Sequence, residues 1–297
     1  MGKKIENLLR NKRDTVLNAT ELAAAAAFFR LTIFDILHAR QTGHWGGSSS
    51  AAEIVTALYF HRLKINPSKP DWDKRDRFIL SKGHASLCLY TILANRGFFP
   101  AEELPKFRTY GSRLQGHPCM RKLPGIDMST GALGHGLSIS VGMALASKLS
   151  GENFGTYVLS GEGCLDEGST WEALLYGAKT KPHGLVYLID YNKVQLDGNI
   201  DDILPLEPLA DKIKSFGWHL APKRYDGNDS AAILEAFKWI DSDGIWPKAV
   251  IFDTVKGKGV SFMEGKNSWH GAPIDDDSYN KGRLELLADL EKKEAAL

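Results

Sequence analysis

Tyr157-Val158-Leu159-Ser160-Gly161-Glu162-Gly163 is an apolar run that halts at a glycine-flanked carboxylate, and it reads as a buried strand delivering that carboxylate to a turn. A second apolar run, Leu185 to Ile189, halts just before Asp190-Tyr191-Asn192, and Leu165 to Lys181 between the two has helical composition. The whole is a β-α-β unit. Both strands of such a unit end on the same edge of a parallel sheet, which sets Glu162 beside Asn192 although they are far apart in sequence. A carboxylate, a carboxamide and a main-chain carbonyl are oxygen donors that a hard cation such as Mg²⁺ takes together with phosphate oxygens. Gly163 leaves room for a diphosphate to reach the backbone. The pattern reads as a site for a metal-bound diphosphate.

The rest of the chain repeats this alternation. Thr20 to Gln41 has Ala, Leu, Phe and Ile at helical spacing and is expected to be a long buried helix leading into the loop Gly43-His44-Trp45-Gly46-Gly47. A second helix is expected from Ala51 to Leu63, a short strand at Arg77 to Ser81, a loop at Lys82-Gly83-His84 and a helix from Ala85 to Arg96. Pro100 to Pro124 reads as an ordered loop region over an active-site edge. Gly131 to Leu149 reads as a helix whose glycines at 131, 134, 136 and 142 press against another backbone or a ligand. Lys248 to Val255 supplies a further strand, Lys256 to Pro273 a Gly-rich loop, and Leu284 to Leu297 an amphipathic closing helix. The expected fold class is α/β, a parallel sheet covered by helices on both faces, with residues 1–297 forming a single domain.

Bulk composition narrows the function. The 297 residues are 43% hydrophobic and 25% charged, ordinary globular values, and the formal net charge of +1 gives no field for holding nucleic acid. The densest basic cluster, Lys3, Lys4, Arg10, Lys12 and Arg13, is interrupted by Glu6 and Asp14 and reads as a solvated N-terminal helix. Cys88, Cys119 and Cys164 are widely spaced and odd in number, so neither a disulfide framework nor a zinc site is expected, and a reducing cytoplasm fits best. The start, Met1 to Glu6, lacks the apolar core of a signal peptide, and the apolar stretch Leu22 to Phe29 is cut off by Arg30, short of a bilayer span. No membrane association is expected.

Four histidines stand out in glycine-bearing predicted loops: Gly43-His44, Gly83-His84, Gly116-His117-Pro118 and Trp269-His270-Gly271. Imidazole donates to phosphate oxygens, bonds sugar hydroxyls and shuttles protons near neutral pH, so such a set suits phosphorylated cofactors and polyhydroxy substrates. Taken in order, Gly43-His44-Trp45-Gly46, Ser81-Lys82-Gly83-His84-Ala85-Ser86, Gly116-His117-Pro118, Thr130-Gly131-Ala132-Leu133-Gly134, the segment Gly161 to Gly168 with Asn192, and His270-Gly271-Ala272-Pro273 resemble the motifs of the thiamine-diphosphate-binding half of transketolase. The resemblance runs from Gly43 to Pro273.

That resemblance implies a role for each matched position. Glu162, Asn192 and the carbonyl of Val194 would hold Mg²⁺, and His84, Gly163 and His270 would contact the diphosphate. Gly131 and Leu133 would face the aminopyrimidine. His44, His117 and His270 would line the donor-sugar channel and assist proton movements, and Glu167 would join an acidic network linking two cofactor sites of a dimer. Two departures stand out. The family usually has Asp where Glu162 stands, one methylene shorter, which brings Ca²⁺ and Mn²⁺ into consideration beside Mg²⁺; and His135 stands where Gln is common. Full transketolases also continue for roughly as many residues again, with the pyrimidine-binding domain in that half. The chain is therefore expected to act as an N-terminal subunit with a C-terminal partner carrying that domain, in a dimer of heterodimers, transferring a two-carbon ketol unit from a ketose to an aldose. A deoxyxylulose-phosphate synthase-like fragment, a nicotinamide-dependent dehydrogenase and a non-catalytic scaffold are the alternatives. Gly116-His117-Pro118 favours transketolase over the first, and the lack of a Gly-Xaa-Gly-Xaa-Xaa-Gly turn disfavours the second.

Overall fold

Successive strand residues point to opposite faces of a sheet, and here both faces are apolar. Phe78, Leu80, Tyr157, Leu159, Val186, Leu188, Val250 and Phe252 enter one core. Their neighbours Ile79, Val158, Leu185, Tyr187, Ile189, Ala249 and Ile251 enter the other. A sheet buried on both sides must carry helices on both sides. The structure, a computed structural model, describes residues 2–12 and 15–297.

The chain opens with α1 (Lys3–Asn11), α2 (Ala19–Arg40), α3 (Trp45–Ser50) and α4 (Ala52–Ala57), then β1 (Arg77–Leu80) and α5 (Ser86–Arg96). It continues through α6 (His135–Ser150), β2 (Thr156–Gly161), α7 (Gly168–Thr180), β3 (Leu185–Tyr191), α8 (Ile200–Ile203) and α9 (Leu209–Ser215). The last elements are β4 (His219–Leu220), β5 (Tyr225–Asp226), α10 (Ser230–Ile240), β6 (Lys248–Asp253) and α11 (Asp276–Ala295). All strand pairs are parallel, in the order β1-β2-β3-β6-β4, with β5 also on β6. Helices α2, α4, α5 and α10 contribute to the first core and α6, α7 and α9 to the second.

Several expected boundaries shift, each for a local reason. Gly46 and Gly47 lie inside α3 rather than in a loop, and the second helix, expected from Ala51 to Leu63, runs from Ala52 to Ala57 and then passes into a π-turn, Leu58–Arg62. The helix expected from Gly131 starts at His135, because Gly134 is left-handed (φ 79°), and Gly131 belongs to the preceding turn. The closing helix begins at Asp276, eight residues before Leu284, where the Asp275 carboxylate accepts the Ser278 amide at 2.8 Å as an N-cap. Helix α1 is docked rather than simply solvated: Ile5 and Leu9 are buried in the first core. Arg13 and Asp14 lie outside the described residues.

Helix α2 starts with a reciprocal cap between Asn18 and Glu21, at 3.1 and 3.0 Å. At 22 residues it is, by length and composition, long enough to cross a bilayer, contrary to the shorter run read from sequence, but most of it is inside the fold. Its Arg30 guanidinium pairs with Glu53 of α4 at 2.5 Å, with both side chains almost wholly buried, and donates to the Ser49 carbonyl at 3.1 Å.

Lys248 opens β6 with its side chain fully buried, and its ammonium closes the end of α10. It donates to the carbonyls of Ile240 at 2.6 Å and Asp243 at 3.2 Å and to the Asp243 carboxylate at 2.9 Å, where the helix dipole favours a cation. Lys248→Met keeps the stem and strands those oxygens. Urea denaturation should show it less stable by about 1–3 kcal/mol; an unchanged midpoint would contradict the capping role.

Candidate functional site

The C-terminal ends of β1, β2, β3 and β6 open on one edge of the sheet, and each releases a loop into the same space. The register fixes this convergence: Leu80 pairs with Leu159, Gly161 with Asp190, and Asp190 with Phe252. One residue past β2 is Glu162, one past β3 is Asn192, two past β1 is Lys82 and three past β6 is Lys256. These four, with Gly47, His84, Leu133, Gly163, Val194 and His270, line a cavity of about 300 Å³. A larger cleft of about 710 Å³, between α1, α2, α5 and the turn at Pro100, lies away from this edge and receives none of these loops.

The floor is a buried charge cluster. Asp190 is completely buried, pairs with the Lys82 ammonium, and accepts bonds from the hydroxyls of Ser50, at 2.7 Å, and Thr254. Glu162, 2% exposed, accepts the Lys193 amide. Burial, reinforced by the nearby Asp190 charge, pushes its carboxyl up to about 8. Lys256, also 2% exposed, donates to the carbonyls of Val194 at 2.8 Å and Gln195 at 3.0 Å and to His270 Nδ1 at 2.7 Å. Burial brings its ammonium down to about 8.

Three imidazoles gather over this floor. The ring centres of His44, His84 and His270 are 5.1–5.4 Å apart. Burial lowers all three: His44 to about 4, with Arg108 adding to the effect, His270 to about 3, with Lys256 adding, and His84 well below its ordinary value. They are neutral at pH 7. An ammonium only donates, so the Lys256 contact makes Nδ1 of His270 the acceptor and leaves the proton on Nε2. His84 sits against Gly47, where a Cβ would lie 3.1 Å from Nε2, and Lys256 sits against Gly46, where a Cβ would lie 2.9 Å from Cε. The glycines of α3 are thus set by side chains packed on it from two other loops.

Asn228, just before α10, ties the floor to the core. Its amide nitrogen donates to the Ser50 carbonyl at 3.1 Å and to Glu53 at 3.2 Å, while its oxygen accepts the Val255 amide at 2.9 Å.

Of the residues singled out from sequence, Glu162, Asn192, Val194, His84, Leu133, Gly163 and His270 line the one cavity, and His44 reaches it through its ring contacts. His117 is exposed outside that lining and packs on Gly131, whose Cβ would lie 3.4 Å from its ring. The His117 loop is held by α5, through Tyr90 to the His117 carbonyl at 3.1 Å and Ser86 to the Gly116 carbonyl at 2.9 Å. Glu167 is exposed at the start of α7 with its stem against Gly134, so it stands apart from the cavity. Sequence reading missed Lys82, Asp190 and Lys256. Each lies within three residues of the C-terminal end of a strand on the cavity edge, and that position was the available signal.

The cavity suits a metal-held diphosphate. A Cβ at Gly163 would touch only Leu133, at 3.4 Å, so the backbone there is open to an incoming group. The ammoniums of Lys82 and Lys256 and the Nε2–H of His270 belong to a lining that suits an anion, while a carboxyl, a carboxamide and a carbonyl offer hard oxygens. Among the described residues no three His, Cys, Asp or Glu side chains gather as a separate metal site.

Comparison with known proteins agrees with this geometry. The family model described as transketolase, thiamine diphosphate binding domain, matches residues 22–293. An apulose-4-phosphate transketolase subunit of Phocaeicola vulgatus is 39% identical over 265 residues, which is 89% of this chain and 93% of the relative. The 6-deoxy-6-sulfo-D-fructose transketolase subunit SqwG of a Clostridium species is 41% identical over 253 residues, 85% of this chain and 90% of the relative. The crystal structure of Campylobacter jejuni transketolase superimposes with a TM-score of 0.84 at 27% identity, over 94% of this chain and 46% of that one. The chain thus spans less than half of that solved enzyme and most of the two relatives named as subunits. With the family model running through every loop of the cavity, the chain belongs to the transketolase family, as its thiamine-diphosphate-binding domain.

Proposed function

We propose that this chain is the diphosphate-anchoring subunit of a two-chain transketolase, moving a two-carbon ketol unit from a ketose to an aldose once a C-terminal subunit supplies the pyrimidine-binding domain. The observation that carries the reading is the convergence of Glu162, Asn192 and Val194 with Lys82, Lys256 and His270 on one cavity. Near-complete coverage of relatives named as single subunits supports the two-chain arrangement.

Bound thiamine diphosphate supplies the nucleophilic carbon and the electron sink for cleaving the bond beside a ketose carbonyl. In this reading Glu162, Asn192 and the Val194 carbonyl hold a divalent metal, Mg²⁺ or, with the longer Glu162, Mn²⁺ or Ca²⁺. Lys82, His84 and the Nε2–H of His270 point donors at the diphosphate. His44 is neutral at pH 7 and so acts as an acceptor for a substrate hydroxyl proton, with His117 at the outer side of the same channel. The buried floor keeps bulk water from the diphosphate end. One named relative acts on a sugar phosphate and the other on a sulfo-sugar, which supports a donor ketose with an anionic end.

The test is a pull-down of the tagged chain from its source lysate, assayed for ketol transfer with thiamine diphosphate and Mg²⁺. Expected is a second chain of similar size and an activity absent from the isolated chain. An inert chain that comes down alone, and that fails to bind the cofactor when candidate C-terminal subunits are added, would favour a scaffold.

A further inference from the structure

Lys256 bonds the very carbonyl that the proposed function gives to the metal. Its ammonium is 2.8 Å from the Val194 oxygen and 3.0 Å from that of Gln195, with His270 Nδ1 at 2.7 Å. A divalent ion coordinated to the Val194 oxygen would lie within a few ångströms of this charge, and the burial of Lys256 leaves little water to screen the repulsion. The ammonium and the ion therefore compete for one oxygen.

We propose that Lys256 is a resident cation of the metal site, holding the Val194-Gln195 turn in its ligating shape before metal binds and leaving the Val194 carbonyl only when a diphosphate arrives to receive it. Three features support the exchange. The backbone on either side of Lys256 is anchored, by the Val255 amide on Asn228 at 2.9 Å and the Gly257 amide on the Gly46 carbonyl at 3.2 Å, so the long side chain is the part free to swing. Its stem runs along Gly46, where no Cβ blocks it. The cavity and its floor also bring both kinds of group together, the ammoniums of Lys82 and Lys256 with the carboxyl groups of Glu162 and Asp197 in the lining and Asp190 beneath. A metal ion alone meets the Lys256 ammonium, and a diphosphate alone meets the carboxyl groups of the lining. Arriving together, each relieves what the other meets, so metal and diphosphate bind with positive coupling, reciprocal by linkage. The inference rests on Glu162, Asn192 and Val194 being the metal's ligands.

The experiment measures Mn²⁺ binding to the full chain, with any partner chain that co-purifies, from the electron paramagnetic resonance of the free ion, with and without thiamine diphosphate. In the unaltered protein the cofactor should tighten Mn²⁺ binding by about tenfold or more. In Lys256→Met, Mn²⁺ alone should bind roughly tenfold tighter than in the unaltered protein, and the added effect of the cofactor should shrink. A residue that merely supports the fold would weaken metal binding when removed, so the sign separates the two roles. Lys256→Arg keeps the charge and should leave Mn²⁺ alone weakly bound. Lys256→Gln is judged by the same criteria should the Met variant fail to fold by circular dichroism. A folded neutral variant that binds Mn²⁺ alone no tighter, beside intact coupling in the unaltered protein, overturns the resident cation and leaves the metal ligands standing. Absence of Mn²⁺ binding to the unaltered protein even with the cofactor overturns both.

Discussion

Asn192→Ala is expected to weaken metal-dependent binding of thiamine diphosphate by roughly a hundredfold or more, while the fold survives. Altering groups that merely support a ligand already costs about 10–100-fold in metal affinity, and Asn192 is read here as a ligand itself. Its carboxamide lies one residue past the central strand β3 and makes a single local bond, accepting the Val194 amide at 3.2 Å. Alanine therefore removes the oxygen donor and one weak turn contact but nothing that the sheet needs. Equilibrium dialysis of the cofactor at fixed Mg²⁺, beside a thermal melt, separates the two effects. A loss under tenfold with an unchanged melt would place the metal elsewhere.

Glu53→Ala should produce the largest stability loss of any single change considered for this chain, about 3–5 kcal/mol, since it leaves a buried guanidinium without its counter-charge. Burial alone would lower the Arg30 pKa, and the adjacent Glu53, with a smaller contribution from Asp289, raises it instead, so the charged form is held in place chiefly by the Glu53 carboxylate. The pair lies inside the first core between α2 and α4, with each side chain 1–2% exposed. Replacing both residues, as Arg30→Met with Glu53→Leu, should recover much of the loss, because a packed apolar pair avoids the desolvation of two ions. Chemical denaturation of the two variants side by side is the measurement. Equal destabilisation by the single and double changes would mean that packing, not charge, dominates there.

The legible part of this protein is what strand ends reveal. Glu162 and Asn192 could be paired from sequence because each follows a run too apolar to be anything but a buried strand, and parallel strands share an edge. The lysines were not legible in the same way. Lys82 and Lys256 stand in loops by sequence, and only the fold buries them against Asp190 and the Val194 carbonyl, because burial is a tertiary fact. Gly46 and Gly47 argued for a loop, since glycine inside a helix costs about 1 kcal/mol. The close approach of Lys256 and His84 explains why α3 keeps them. Between Ile200 and Trp246 the two-residue strands β4 and β5 are too short to show alternation, so nothing there announced a sheet. Helix α10 did carry a signal that the sequence reading passed over, the Asp229 cap followed by Ile233, Phe237 and Ile240 at helical spacing.

The Asn228 carboxamide works as a gauge block. Its three bonds run to the end of α3, to α4 and to the backbone leaving β6, and a planar amide offers them at fixed angles and lengths. The Arg30–Glu53 pair and the Lys256 loop are thereby bridged by one side chain. Asparagine is the side chain with both a donor and an acceptor at that reach: glutamine would be a methylene too long, and aspartate would bring oxygen where the Ser50 carbonyl and Glu53 need hydrogen. This one side chain therefore joins the protein's interior to the loop that carries Lys256.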